Sequence, residues 1–268
     1  MSALQPALAA VPSAAPRSVQ PLLSLDDVAF GYRDKPPILE HFDLAVDDGQ
    51  FVALLGPSGC GKTTVMNLVA GFLSPRAGRV RFGGAAVDGP NTSVAYMTQG
   101  DTLLPWRRVA DNVALPLELR GVKPDTIRAR VEAMLRLVHL QDAAHLYPAE
   151  LSGGMKRRAL LARSLAYDPQ MLLMDEPFAA LDAQLRETMH KELLAMMGSY
   201  RRSVLFVTHD IAESISLADR IVLFKDKPAR IAEDVAVPFG KNRNLDEVRE
   251  SDEYVYLERQ LRTALATH

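Results

Sequence analysis

The sequence predicts an α/β fold: a mainly parallel sheet core, an N-terminal antiparallel β portion and an inserted α-helical lobe. Three short β-rich segments at 22–30, 42–46 and 51–55 are separated by Gly and Asp turns. Further along, 171–174 and 204–207 are continuous apolar runs, a pattern typical of buried parallel strands. Helical stretches lie between these strands, and strand–helix alternation favours a parallel sheet with helices on its faces.

Each remaining element follows from its local pattern. The inserted lobe is expected over about 100–165, because Ile127, Val131, Met134, Leu135 and Val138 recur at helical spacing. Other predicted helices cover 62–72, 125–140, 152–166 and 183–198. Other predicted strands cover 79–82, 94–97, 221–224 and 230–237.

The chain ends in a predicted helical stretch after Asn244. Asn244 is a suitable N-cap, and Glu247 follows three residues later. We expect Val255, Leu257, Leu261 and Leu265 to form the buried face of this tail. The predicted organisation is an extension over 1–21, a domain over 22–240 and a helical tail over 241–268.

Composition excludes several classes of protein. The chain has 268 residues, of which 48% are hydrophobic and 24% charged, as in ordinary globular domains. The net charge of −2 offers no basic surface for nucleic acid. Cys60 is the single cysteine, so neither an intrachain disulfide nor a cysteine zinc cluster can form. The apolar runs are far shorter than the ~18 residues of a membrane span.

The N-terminal segment 1–21 is rich in Ala and Pro. Its first charge is Arg17, so no positive charge precedes the apolar stretch as a signal peptide requires. Prolines at 6, 12, 16 and 21 also interrupt any helix. We expect a flexible extension here.

A glycine-rich loop at 56–63 carries the strongest chemical signal. It reads Gly-Pro-Ser-Gly-Cys-Gly-Lys-Thr and matches the phosphate-binding pattern GxxxxGK[ST], between a predicted strand and a predicted helix. Glycines allow backbone N–H groups to point at phosphates, and the helix N-terminus adds its dipole. Lys62 would bring a positive charge to the transferred phosphate, and the hydroxyl of Thr63 would bind Mg²⁺.

Two carboxylates follow the apolar strand 171–174. Asp175 lies at the carboxyl end of this strand, where it can hold Mg²⁺, and Glu176 is next in the chain. Glu176 is suited to polarising an attacking water. Together with the phosphate loop upstream, this pair indicates hydrolysis of a nucleoside triphosphate.

The segment Leu-Ser-Gly-Gly-Met at 151–155 opens a predicted helix. Ser152, Gly153 and Gly154 offer a hydroxyl, free N–H groups and a helix dipole. The segment alone leaves two interpretations open: a second phosphate-facing loop, or an ordinary serine N-cap followed by a glycine turn.

These motifs together resemble the ATP-binding domain of ABC transporters, over about residues 22–238. The order is Walker A at 56–63, a Q-loop glutamine at Gln99, the signature at 151–155, Walker B at 171–175, a D-loop at 180–182 and a switch histidine at His209. The signature departs from the usual LSGGQ because Met155 replaces glutamine. The resemblance implies a P-loop NTPase core with ATP and Mg²⁺ as cofactors.

The resemblance also implies roles for individual residues. Tyr32 is the aromatic residue expected to stack on adenine. The resemblance implies catalytic roles for Lys62, Glu176 and His209. It implies Mg²⁺ contacts by Thr63, Gln99 and Asp175. The implied nucleotide-binding residues are Tyr32, Gly56, Pro57, Ser58, Gly59, Cys60, Gly61, Lys62, Thr63, Thr64, Gln99, Ser152, Gly153, Gly154 and Asp182.

A finer resemblance concerns the nitrate/sulfonate/taurine branch of importer ATPases. It rests on 99–106, Gln-Gly-Asp-Thr-Leu-Leu-Pro-Trp, on 111–113 and on 205–219. It implies a small, mostly anionic solute, although a thiamine-precursor pyrimidine stays open. An exposed Trp106 beside Leu103 and Leu104 would suit a helix of a permease, whereas core packing of Trp106 is the alternative.

The family mechanism implies two copies that face each other head to tail. Each ATP would then lie between the Walker A loop of one copy and Ser152–Gly154 of the other. Implied partners are a permease dimer and a separate solute-binding protein, at the cytoplasmic face of the inner membrane. Two alternatives remain: a soluble ABC ATPase without a transport role, and a regulatory module that binds ATP without hydrolysing it.

Overall fold

The computed structural model describes residues 20–179, 181–199, 202–240 and 243–266. The predicted extension 1–21 therefore lies almost entirely outside the described residues, as does Ala180 of the D-loop. The strands are β1 (Leu23–Phe30), β2 (Leu39–Val46), β3 (Phe51–Leu55), β4 (Ala77–Phe82), β5 (Ala85–Ala86), β6 (Val94–Met97), β7 (Met171–Asp175), β8 (Ser203–Thr208), β9 (Arg220–Lys225) and β10 (Arg230–Ala236). The helices are α1 (Lys62–Val69), α2 (Val109–Leu119), α3 (Pro124–Leu137), α4 (Gly153–Ala166), α5 (Ala183–Ser199), α6 (Ile211–Leu217), α7 (Leu245–Glu250) and α8 (Asp252–Ala266).

The larger sheet has the order β10-β9-β3-β8-β7-β6. Strands β9, β3, β8, β7 and β6 run parallel, and β10 pairs antiparallel with β9. All residues of the central strand β3 are buried, as its apolar run predicts. Phe51, Ala53 and Leu55 face one apolar cluster, and Val52 and Leu54 face the other. The sheet thus separates a core shared with the helical lobe from a core shared with α1.

The smaller sheet, β2-β1-β4-β5, is the predicted antiparallel portion. Strand β2 begins at Leu39, whereas we predicted its start at residue 42. Asp27 (φ 51°) and His41 (φ 47°) adopt left-handed conformations at a bulge between β1 and β2. Their side chains meet, with His41 Nδ1 2.7 Å from Asp27 Oδ1. The bulge interrupts the alternation of apolar and polar residues, which hid the first part of β2.

The first helix is shorter than predicted. Helix α1 ends at Val69 because Gly71 adopts a left-handed conformation (φ 72°) and its N–H donates to Leu68 O. Phe72, the predicted last residue, lies beyond this cap.

The inserted lobe consists of α2, α3 and α4, which pack on one another. Of the predicted spacing residues, Val131, Met134, Leu135 and Val138 are buried. The structure therefore contains the predicted helical lobe, and its limits at about 100 and 165 stay a prediction.

The C-terminal stretch divides into α7 and α8. Asn244 caps α7 as predicted, and its side chain accepts from the N–H of Asp246. The expected buried face of α8 was wrong in one position: Tyr254 is buried beside Leu257 and Leu261, and Val255 is 47% exposed.

Nothing tests the boundaries at 22, 240 and 241, which stay predictions. Within the part of the chain that the structure describes, no helix combines the length and the apolar character needed to cross a bilayer.

Candidate functional site: a phosphate loop and the carboxyl edge of the sheet

The loop 56–61 connects the carboxyl end of β3 to the N-terminus of α1. Gly59 (φ 78°) and Gly61 (φ 104°) have conformations that favour glycine. Lys62 is the first residue of α1 and is 4% exposed. Its Nζ donates to Gly56 O at 2.7 Å and to Pro57 O at 2.8 Å. The loop is thus wrapped around the ammonium group, beside the unpaired N–H groups of a helix N-terminus.

Steric contacts fix where the loop lies. A Cβ added to Gly56 would stand 2.6 Å from Phe224 O of β9, and one added to Gly61 would stand 3.0 Å from Ile38 Cγ2. Cys60 is buried, and its Sγ lies 3.6 Å from Lys62 Nζ. A cavity of about 470 Å³ adjoins the loop and is lined in part by His209 and by the β9–β10 turn. Loop, dipole, cation and adjacent space together fit a polyphosphate.

Asp175 ends β7 next to this loop. Burial raises the pKa of its carboxyl, whereas a hydrogen bond from Thr63 and the charge of Lys62 act in the opposite direction. The hydroxyl of Tyr96 lies 3.5 Å from Asp175 Oδ2. A threonine hydroxyl beside a buried carboxylate gives hard oxygen donors, which is what Mg²⁺ prefers when substrate phosphates complete its shell. The predicted residues Thr63 and Asp175 therefore fit this ion.

Glu176 lies at the centre of a second group. Gln99 Nε2 and His209 Nδ1 are each 3.5 Å from Glu176 Oε2. These three residues follow β6, β7 and β8, so parallel topology brings them to the same edge of the sheet. The Glu176 backbone is left-handed (φ 45°), and its N–H donates to Val207 O at 3.0 Å. This unusual conformation in a non-glycine residue is typical of functional positions.

The segment at the start of α4 is a real helix N-terminus. Ser152 is its N-cap and accepts from the N–H of Met155 at 3.3 Å. Ser152 and Gly153 are exposed, and a Cβ on Gly154 would meet the side chain of Leu185 at 2.8 Å. Among the described residues, no hydrogen bond or ion pair joins 152–154 to the phosphate loop of the same chain. The structure thus leaves these groups free to meet another molecule.

Asp182 and Tyr32 occupy different surroundings. Asp182 Oδ1 accepts from the N–H of Leu185 at 2.9 Å, so it caps α5. Tyr32 is 47% exposed and contacts Phe30 edge-on, with ring centroids 5.3 Å apart. Nearly half of Tyr32 is therefore open to another molecule, and its role in stacking on adenine stays a prediction.

Sequence reasoning missed the residues that hold Gln99. Arg157 in α4 is buried and donates to the backbone carbonyls of Thr98 and Gln99. Arg163, two turns later, donates to the carbonyl and hydroxyl of Thr102. The basic run at 156–158 was the available signal. The helix that begins at the Ser-Gly-Gly segment therefore anchors the Gln99 loop.

Trp106 is 72% exposed, so core packing was the wrong alternative for it. Leu103 is 6% exposed, contrary to the expectation that it lies on the same surface. Its neighbour Leu104 is held through the side chain of Asn112, which bonds both the N–H and the carbonyl of Leu104. The surface offered by this loop is therefore Trp106 rather than a row of leucines.

Comparisons with known proteins agree with this geometry. The family model described as ABC transporter matches residues 39–179. The taurine import ATP-binding protein TauB of Pseudomonas fluorescens (strain Pf0-1) is 43% identical over 221 residues, which cover 82% of this chain and 84% of that protein. The chain belongs to the ABC transporter family. It is an ATP-binding subunit of that family, with the ATPase activity that the family carries.

Two solved structures agree with the ABC fold. One is cbiO1 from Clostridium perfringens, part of the ABC transporter complex cbiONQ, with a TM-score of 0.75, 24% identity and coverage of 88% of this chain and 93% of that one. The other is the ATP-binding cassette MJ0796, a dimeric post-hydrolysis structure bound to ADP and Pi. It has a TM-score of 0.70, 26% identity and coverage of 81% of this chain and 100% of that one. The predicted α/β class and ABC ATPase fold are confirmed.

Proposed function

We propose that this chain is the ATP-hydrolysing subunit of an importer for a small anionic solute of the sulfonate or taurine class. One observation carries the hydrolytic part: Gln99, Glu176 and His209 converge beside the phosphate loop. The solute class is supported by the taurine import relatives, which match over most of their own length.

The residues divide the chemistry among themselves. The N–H groups of the loop and Lys62 would bind the β- and γ-phosphates, and Tyr32 would stack on adenine. Mg²⁺, when bound through Thr63 and Asp175, would supply positive charge to the phosphate oxygens. Glu176 would polarise the attacking water, and Gln99 and His209, each 3.5 Å from Glu176 Oε2, would help to orient it.

A second copy would complete the site. The exposed Ser152 and Gly153 open α4 with no contact to their own phosphate loop among the described residues, so they suit the nucleotide of a facing copy. MJ0796, which has the same fold, was solved as a dimer. We expect an isolated copy to bind ATP and hydrolyse it slowly. Sedimentation of the Glu176→Gln variant with and without ATP tests whether ATP brings two copies together. A monomer under both conditions would contradict the proposal that a second copy completes the site.

A permease dimer is the proposed membrane partner, with the chain peripheral at the cytoplasmic face and a separate solute-binding protein outside. Trp106 provides the exposed apolar contact for a permease helix. The Trp106→Ala variant should keep the basal ATPase rate and lose stimulation by the permease. Equal stimulation of the variant and the parent would remove Trp106 from the contact.

The solute is tested in membrane vesicles that contain the proposed permease and solute-binding protein. ATP-dependent uptake of radiolabelled taurine or an alkanesulfonate is expected, and it should be lost with Glu176→Gln. Uptake of a thiamine-precursor pyrimidine instead would correct the solute class. Recovery of the chain with ribosomes or DNA, and without a permease, would favour the non-transport alternative.

A further inference from the structure

A buried carboxylate with no role in the chemistry above lies directly behind His209. Glu213 is in α6 and is 6% exposed. Thr208 Oγ1 donates to Glu213 Oε2 at 2.6 Å, and the N–H of Asp210 donates back to Thr208 Oγ1 at 3.0 Å. Thr208 and Asp210 are the two neighbours of His209. The carboxylate therefore fixes the backbone turn that carries the imidazole.

The other oxygen of Glu213 faces α5. His190 Nε2 lies 3.4 Å from Glu213 Oε1, and Arg186 Nε lies 3.7 Å from the same oxygen. His190 is 3% exposed and packs edge-on against Phe178, which follows Glu176 by two residues. Burial raises the pKa of Glu213, but His190, Thr208 and Arg186 lower it on balance, so the carboxylate is charged. A buried charge surrounded in this way holds its neighbours in one arrangement.

Arg186 extends the network to the start of α5. It donates to Leu181 O at 3.0 Å, and its NH1 lies 3.7 Å from Asp210 Oδ2. Asp182, the next residue after Leu181, caps α5. One guanidinium thus joins the segment 181–182 to the residue that follows His209.

We infer that Glu213 is a positioning residue, which holds His209 in place through Thr208 and couples it through Arg186 to the segment 181–182. This inference rests on the proposed role of His209 in orienting the attacking water. The approach of a second copy would move segment 181–182. Through Arg186 and Glu213, the network would pass this movement directly to the imidazole of His209. Glu213 itself does not touch nucleotide.

The test compares Glu213→Gln, Thr208→Val and the double variant with the parent. Glu213→Gln keeps the shape and removes the charge, and Thr208→Val removes only the hydroxyl. The control is Glu187→Gln, a half-buried residue of α5 whose ion-pair partners, Lys191 and Arg249, lie outside the network. Measured quantities are kcat and KM for ATP, the affinity for a fluorescent ATP analogue, and hydrogen exchange at the Asp210 amide.

Both single variants should lower kcat about tenfold or more, because small misplacements of catalytic groups have large effects on rate. Nucleotide affinity should stay within about twofold, since Lys62 and the loop are untouched. The double variant should be no worse than the more impaired single variant, because both break one linkage. Asp210 exchange should accelerate in each of these three proteins and not in the control.

Unchanged kcat per folded molecule, or additive losses in the double variant, would overturn the inference. If Glu213→Gln does not fold, Thr208→Val carries the test through kcat and through hydrogen exchange at the Asp210 amide, and no change in either quantity would overturn the inference. Failure of the proposed function has a different signature: the parent would then show no turnover that Glu176→Gln removes. Exchange at Asp210 is measured without nucleotide, so unchanged protection in both single variants overturns the inference regardless of turnover.

Discussion

Replacing Arg157 by methionine removes the guanidinium that anchors the Gln99 loop while keeping most of the side-chain volume. The side chain is 6% exposed and donates to the carbonyls of Thr98 and Gln99. Hydrogen bonds from a charged donor contribute about 1.5–3 kcal/mol each. Burial lowers the pKa of Arg157, so the charged group bears a desolvation cost that methionine avoids. The two effects oppose each other, and we expect a net loss of about 2–3 kcal/mol in the free energy of unfolding.

The same variant should slow ATP hydrolysis about tenfold or more, because the Gln99 amide would leave its position 3.5 Å from Glu176. Urea denaturation measures the first effect, and phosphate release per folded molecule measures the second. Arg158→Met is the matched control: it is the next residue on α4, and its Nε lies 3.5 Å from Glu192 Oε2. Equal stability and equal turnover in the two variants would refute this reasoning.

Three other substitutions give distinct signatures. Gly61→Ala should weaken binding of a fluorescent ATP analogue, because the new Cβ would stand 3.0 Å from Ile38 Cγ2 at φ 104°. Asp175→Asn should abolish turnover and yet stabilise the fold near pH 7, because burial raises the pKa of the native carboxyl. That gain should shrink as the pH falls and the native carboxyl becomes protonated. Arg220→Met should cost about 2 kcal/mol in unfolding free energy with little change in turnover, because it removes the two hydrogen bonds from the buried Arg220 guanidinium to the exposed Asp234 carboxylate.

Each of these has its own control and contradicting result. The control for Gly61→Ala is Gly121→Ala. Gly121 is also left-handed (φ 67°), but no atom lies within 4 Å of its added Cβ, so this variant introduces backbone strain without the steric clash. Equal nucleotide affinity in the two alanine variants would contradict the steric argument. A pH-independent difference between Asp175→Asn and the parent would contradict the assigned effect of burial. Loss of turnover in folded Arg220→Met would imply that this pair reaches the site.

Strong local patterns predicted much of this fold. Strands β3 and β6 begin and end where predicted, since both are short apolar runs. Helix α6 was not predicted, because its buried side includes Glu213, Ser214 and Ser216 rather than an apolar stripe. Two of the partners of Glu213, Arg186 and His190 of α5, come from another helix and could not be read from the local pattern.

The candidate site also combines contacts that the sequence predicted with contacts that it did not. The family resemblance implied that Gln99, Glu176 and His209 act at one nucleotide site, and in the structure Gln99 and His209 each lie 3.5 Å from the same oxygen of Glu176. The role of Arg157 could not be predicted, because its partners are backbone carbonyls 58 and 59 residues away. Contacts of this kind depend on how the lobe packs against the sheet, which the basic run at 156–158 alone does not specify.

The most direct test of the central claim is ATP turnover by Glu176→Gln relative to the parent, in the complex with its permease. If Glu176 polarises the attacking water, turnover should fall at least about 100-fold while ATP binding is retained. Turnover of the variant equal to that of the parent, with ATP bound equally well, would contradict the account.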